Sequence, residues 1–131
     1  MTKARLATVW LDGCSGCHMS LLDMDEKILE VAKVADVVYS PLVDTKDFPE
    51  NVDVALVEGA VSSEDDLEKI QRIRKNSRFL VALGDCAVTG NVAAMRNLFG
   101  VRAVLDRSYR LTSVPAGSPP DQIVPRLLSR V

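Results

Sequence analysis

Apolar residues along this chain follow two rhythms. Four short runs are almost continuously apolar: Leu6–Leu11, Val37–Tyr39, Val54–Val57 and Phe79–Leu83. Runs this short, aliphatic and partly β-branched read as buried strands. Between the first two, Leu21, Met24, Ile28, Val31 and Ala35 recur at steps of three and four, one stripe of a helix. Asp23, Asp25, Glu26, Lys27 and Glu30 lie mostly off that stripe, and acids in the early turns suit the helix dipole. Between the last two runs, Leu67, Ile70 and Ile73 mark a second helix ending near Asn76. Ser62 and Ser63 each have an acid three residues on, Asp65 and Asp66, the pattern of a capping box. Pro41 stops the second strand, and residues 44–51 read as a loop.

Past the fourth run, Thr89-Gly90-Asn91 predicts a loop, Val92 to Phe99 a short helix closed by Gly100, and Val101 to Tyr109 another. From Leu111 the periodicity fades, with Pro115, Gly117, Pro119 and Pro120 making a loop and Ile123–Val131 only weakly helical. Alternating strands and helices predict a single α/β domain over residues 1–131, with 110–131 an irregular tail. Its core would be an open parallel sheet of four strands, flavodoxin-like in order, with helices on both faces. In such sheets ligands sit at the carboxyl ends of the strands. Those ends are distinctive here: Cys14 and Cys17 follow the first strand, Glu58 the third and Cys86 the fourth. All three cysteines therefore fall on one sheet edge.

Composition narrows the setting. Sixteen Lys and Arg against 18 Asp and Glu give a formal charge of −2, and no basic cluster supports nucleic-acid or anionic-membrane binding. The first apolar run is too short for a signal peptide or a membrane span. Three cysteines, an odd number, fit poorly with a secreted disulfide framework and point to a reducing cytoplasm. There, closely spaced cysteines bind metal or do redox chemistry.

The Gly13-Cys14-Ser15-Gly16-Cys17-His18 loop admits several chemistries. Thiolates are strong ligands for iron–sulfur clusters, a four-iron cluster normally takes four, and the glycines let backbone N–H groups approach cluster sulfur. The same thiols with His18 can hold zinc. Cys14 and Cys17 can form a thioredoxin-like disulfide, which leaves Cys86 idle. Cys-x-x-Cys-His also matches a c-type haem attachment, though no export signal accompanies it. Finally, all three cysteines can simply be small buried hydrophobes. His18 by itself reads as a hydrogen-bonding loop residue. Glu58 is either a proton-relay carboxylate or a strand-end turn acid, and Asp85 a cap for the next helix. Arg96 reads as a solvated helix residue or a contact to a partner, and Trp10 as core.

Three motifs carry a resemblance: Trp10 to Ser20, Val57 to Glu64, and Gly84 to Asn91 with Met95-Arg96-Asn97. From about Arg5 to Tyr109 the chain resembles the small hydrogenase-module subunit of NAD(P)-linked bidirectional [NiFe] hydrogenases. More distantly, it is similar to the 20 kDa-like cluster-bearing subunit of complex I. The resemblance implies a proximal [4Fe-4S] cluster relaying electrons between a nickel–iron large subunit and diaphorase subunits that reduce NAD(P). It implies no complete active site on this chain alone. Cys14, Cys17 and Cys86 match three of the family's four ligand positions. The fourth lies in a Pro-Gly-Cys-Pro-Pro motif after a fifth strand, and this chain has no fourth cysteine. Ala116-Gly117-Ser118-Pro119-Pro120 has a similar shape, which makes Ser118 a substitute candidate. The expectation is a chain that stops before that strand and ligand. FMN has been attributed to such subunits, but no phosphate-binding loop is evident because the first loop is the cysteine loop.

Overall fold

The computed structural model describes residues 2–110 and 126–131. Four strands, β1 (Ala4–Trp10), β2 (Ala35–Tyr39), β3 (Val52–Glu58) and β4 (Ser77–Leu83), form one sheet. Their order is β2-β1-β3-β4 and every pairing is parallel. The flavodoxin-like expectation holds over these strands. Apart from Leu11, each apolar run lies within its strand, and every strand begins two residues before its run.

Register sorts the side chains by face. Ala7 pairs with Ala55 and Val9 with Val57 across β1 and β3. These four are buried against Ile73 of α3 (Glu64–Asn76), with Ile70 and Leu80 packed beside them. α3 starts as the serine–acid spacing predicts, but only at the second serine. The Ser63 hydroxyl accepts the Asp66 N–H at 3.1 Å while the Asp66 carboxylate accepts the Ser63 N–H at 3.0 Å. On the opposite face, Leu6 and Thr8 look toward α1 (Gly16–Leu22) and α2 (Lys27–Val34). Helices therefore cover both faces, although Phe79 and Val81 of β4 stay open on the α1/α2 side.

Three local expectations change. The stripe predicted as one helix through Ala35 is two helices, because Asp25 adopts a left-handed φ of 49° and the chain tightens there. Lys27, Ile28 and Leu29 each donate to the carbonyl three residues back. A run of Asp23, Asp25 and Glu26 repels itself in a continuous helix, and aspartate tolerates the left-handed turn. Ala35 consequently begins β2. Next, Asp85–Thr89 forms a helical turn, α4, so that of the expected Thr89–Asn91 loop only Gly90 lies outside a helix. It is followed by α5 (Asn91–Ala94), a 3-10 turn at Met95–Leu98, α6 (Val101–Leu105) and a π-helical turn at Asp106–Arg110. Lastly, residues 126–131 are irregular rather than weakly helical, and Leu127 bridges to Ser63.

Candidate functional site

The site is built at the carboxyl ends of β1, β3 and β4. After Trp10 the chain continues alongside the exit of β3: the Leu11 N–H donates to the Glu58 carbonyl at 2.9 Å, and Asp12 and Ala60 exchange bonds at 3.1 and 2.7 Å. This approach requires Gly59, where φ is +90° and a Cβ would lie 2.7 Å from the Leu11 carbonyl carbon. The Ser62 hydroxyl donates to the Asp12 carboxylate, and Lys69 Nζ donates to the Trp10 carbonyl at 2.9 Å. The cysteine loop is thereby anchored on both sides before it reaches Cys14.

Glu58 sits beneath that loop. Only 3% exposed, it accepts the backbone N–H of His18 at 2.6 Å. The His18 ring is 1% exposed and meets the Trp10 indole edge-on, with ring centroids 5.2 Å apart. Its Nδ1 lies 3.4 Å from the Glu58 carboxylate, close enough for ion pairing but not in hydrogen-bonding geometry, and Nε2 has no partner among the described residues. His18 is thus a buried residue of α1, correcting its reading as a hydrogen-bonding loop residue. The signal was present in the periodicity, since the stripe through Leu21 and Met24 extends back three residues to His18.

Cys14 is exposed, Cys17 and Cys86 are half-buried, and all three are free thiols. Burial raises the Cys17 thiol above its ordinary value, and the negative charge of Glu58, then of Cys14 and Cys86, adds to the effect. The structure thus brings together the sequence-predicted Cys14, Cys17, Cys86 and Glu58. Glycines leave room for the sulfurs: a Cβ on Gly84 would lie 2.1 Å from Cys17 Sγ, and one on Gly16 3.3 Å from Cys14 Sγ. Gly84, at φ 85° and ψ 169°, occupies backbone space that is essentially glycine's alone. Among the described residues, no three His, Cys, Asp or Glu side chains stand close enough to share a single metal ion.

Other singled-out residues turn out structural. Arg96 is half-buried and donates through Nη2 to the carbonyls of Ser62 and Leu128, so it braces residues 126–131 rather than meeting solvent. Asn97 does the same, exchanging hydrogen bonds with the backbone of Val131 at 3.1 and 3.0 Å. Asp85 opens α4 and accepts from the Thr89 hydroxyl at 3.0 Å; Gly84 occupies the cap position assigned to Asp85. Ser118 and its Ala-Gly-Ser-Pro-Pro context lie outside the described residues. None of the described helices is long and apolar enough to cross a membrane.

Comparison with known proteins agrees with the sequence motifs. The family model described as "NADH ubiquinone oxidoreductase, 20 Kd subunit" matches residues 14–125. The chain is 39% identical to the NAD-reducing hydrogenase HoxS subunit delta of Cupriavidus necator, over 98% of this chain and 64% of that subunit. It is 38% identical to a subunit of the F420-non-reducing hydrogenase of Methanothermobacter thermautotrophicus, over 98% of this chain and 44% of that one. It thus spans less than two thirds of the length of either relative. Among solved structures it superimposes on a chain from a crystal structure of an NAD+-reducing [NiFe]-hydrogenase in the H2-reduced state. The TM-score is 0.88 at 37% identity, covering 98% of this chain and 74% of that one. With the family model running through most of its length, this chain belongs to the NADH ubiquinone oxidoreductase 20 Kd subunit family.

Proposed function

We propose that this chain is the electron-transfer subunit of an NAD(P)-linked [NiFe] hydrogenase. Cys14, Cys17 and Cys86 would hold a [4Fe-4S] cluster, with the fourth ligand from an external thiolate or Ser118. The observation that carries this reading is the placement of three free thiols on one sheet edge, with Gly84 and Gly16 packed where a side chain would crowd the Cys17 and Cys14 sulfurs. Zinc bonds to thiolate at about 2.3 Å and needs its ligands gathered around one point. Cys14, Cys17 and Cys86 would supply three thiolates to a [4Fe-4S] cluster, which suits soft sulfur ligands. When bound, such a cluster supplies one-electron transfer.

The chain's own residues orient and seal the site. Glu58 fixes the entry to α1 through the His18 N–H, and Trp10 and His18 fill the space beneath the loop. Glu58 is also the buried carboxylate proposed as a proton relay beside the site. To serve as a ligand Cys17 would have to lose its proton against burial and the nearby negative charge.

An exposed apolar strip beside Cys86 supports a role inside a larger assembly. Val88, Val92, Met95, Leu98 and Phe99 are all more than 60% exposed on α4, α5 and the turn that follows. The nickel–iron large subunit and the diaphorase subunits are the proposed partners. The resemblance does not extend to an FMN loop, and FMN has no place in the proposal.

Anaerobic reconstitution followed by iron, sulfide and zinc analysis tests the reading. Iron with acid-labile sulfide is expected, lost in Cys86→Ser. Stoichiometric zinc without sulfide contradicts it. The count of three cysteines favours one second reading, a docking module derived from such a subunit and lacking a cluster. That reading predicts neither iron nor sulfide while partner binding persists.

A further inference from the structure

Between α4 and α5 the chain turns on two consecutive left-handed residues, Gly90 at φ 80° and Asn91 at φ 41°. Glycine adopts this conformation freely, and asparagine is one of the few side-chain-bearing residues that tolerates it. A β-carbon on Gly90 would lie 2.8 Å from the Ala94 Cβ, so the turn is tightly closed. The Asn91 N–H donates to Thr89 Oγ1 at 3.1 Å, and the Thr89 hydroxyl donates to the Asp85 carboxylate at 3.0 Å. The Asn91 backbone is thereby pinned, and its side chain reaches back to α4. Its Nδ2 donates to Cys86 Sγ at 3.7 Å. Among the described residues, no other side chain donates to a cysteine sulfur. Asn91 opens α5, yet no side-chain hydrogen bond caps that helix, so capping does not account for the asparagine.

A thiolate sulfur can only accept, so the NH2 end of the amide, and not its oxygen, is the end suited to face it. One electron added to a thiolate-held iron–sulfur group brings one negative charge, part of which falls on the sulfur ligands. A donor aimed at such a sulfur bonds more strongly to the more negative state, and hydrogen bonds to sulfur are one of the determinants of these potentials. Asp85, next to Cys86 in the chain, would act in the opposite sense, and its carboxylate is already engaged by Thr89. We infer that Asn91 is a positioning residue for the redox centre at this sheet edge. Its side-chain amide holds the Cys86 sulfur through an N–H···S bond and raises the reduction potential of the group bound there. This rests on the cluster reading proposed above, and adds to it a residue outside the three ligands.

Spectroelectrochemical titration of the anaerobically reconstituted chain, with external thiol present, is compared with that of Asn91→Gly and Asn91→Asp. Asn91→Gly suits the left-handed backbone and deletes the donor, while Asn91→Asp keeps the shape and sets a carboxylate against the sulfur. Neither removes a ligand, so both should load iron and acid-labile sulfide to the level of the unaltered chain. Asn91→Gly should shift the one-electron equilibrium about threefold to tenfold toward the oxidised form, a tenfold change being about 59 mV. Asn91→Asp should shift it further in the same direction; if its charge prevents loading, the glycine variant decides. Loaded variants that titrate at the unaltered potential, or above it, overturn the inference alone. Loss of iron in both variants gives Asn91 a structural role instead and also overturns it. Failure of the unaltered chain to assemble a cluster overturns the function proposed above and this inference with it.

Discussion

The two faces of the sheet are built from alternate residues of the same strands, yet they do different work. On the α3 face, Ala7, Val9, Ala55 and Val57 meet Ile73 with almost no exposed surface. One residue along in each strand, the α1/α2 face carries Thr8, Trp10 and Glu58, roofed by His18 and flanked by a cavity. Closing one face with small aliphatic residues stabilises the sheet. The other face can then tolerate buried polar groups, an unpaired imidazole and loosely filled space next to the cysteines. The strand period of two thus separates stability from chemistry within single strands.

The largest expected effect tests that division. Ile73→Ala should cost about 2–5 kcal/mol in denaturant unfolding, because its space is enclosed on every side. Ile28→Ala, on the cavity side, should cost about half as much; equal losses would mean the faces are equally packed. Next comes Gly84→Ala, which forces a β-carbon onto Cys17 Sγ and a side chain into glycine-only backbone. It should lower stability by about 1–3 kcal/mol and abolish iron loading, both measured on the same preparation. Arg96→Ala removes two charge-assisted bonds to carbonyls and should cost about 1.5–3 kcal/mol. Proteolysis within 126–131 should accelerate with it, while the three cysteines keep their alkylation rates.

The smallest effect is electrostatic. In the metal-free chain, Cys14 should react with iodoacetamide faster than Cys17 at pH near 8, since only the thiolate attacks and Cys17 holds its proton. Glu58→Gln removes the negative charge that helps raise the Cys17 thiol and should speed alkylation at that residue. Because the folded value lies above the unfolded one, the favourable contribution is fully present below the ordinary thiol value of 9.0. It is lost as pH rises through the raised folded value, so metal-free stability should decline in alkali. Cys17→Ala should flatten that decline.

The strands, the capping box at Ser63 and the alignment of three cysteines on one edge were all legible in the sequence, because periodicity and spacing are local signals. The break at Asp25 was not, since the apolar stripe runs unbroken through it and only the acidic cluster hints at a turn. Burial of His18 was carried by the stripe through Leu21 and Met24, although its polar type argues for a loop. Burial of Arg96 depends on which distant segment packs over it: polar residue type argues for solvent, whereas the carbonyls of Ser62 and Leu128 decide otherwise. The tightness of Gly84 against Cys17 likewise arises between loops 67 residues apart in number, and no spacing rule reports it.

The central claim is that three thiols at one sheet edge hold a redox-active cluster. Spectroelectrochemical titration of the anaerobically reconstituted chain, with external thiol present, addresses it directly. The account predicts a reversible one-electron transition that disappears when Cys14, Cys17 or Cys86 is replaced by serine. Bound iron with no reversible transition, or a transition indifferent to all three replacements, would contradict it.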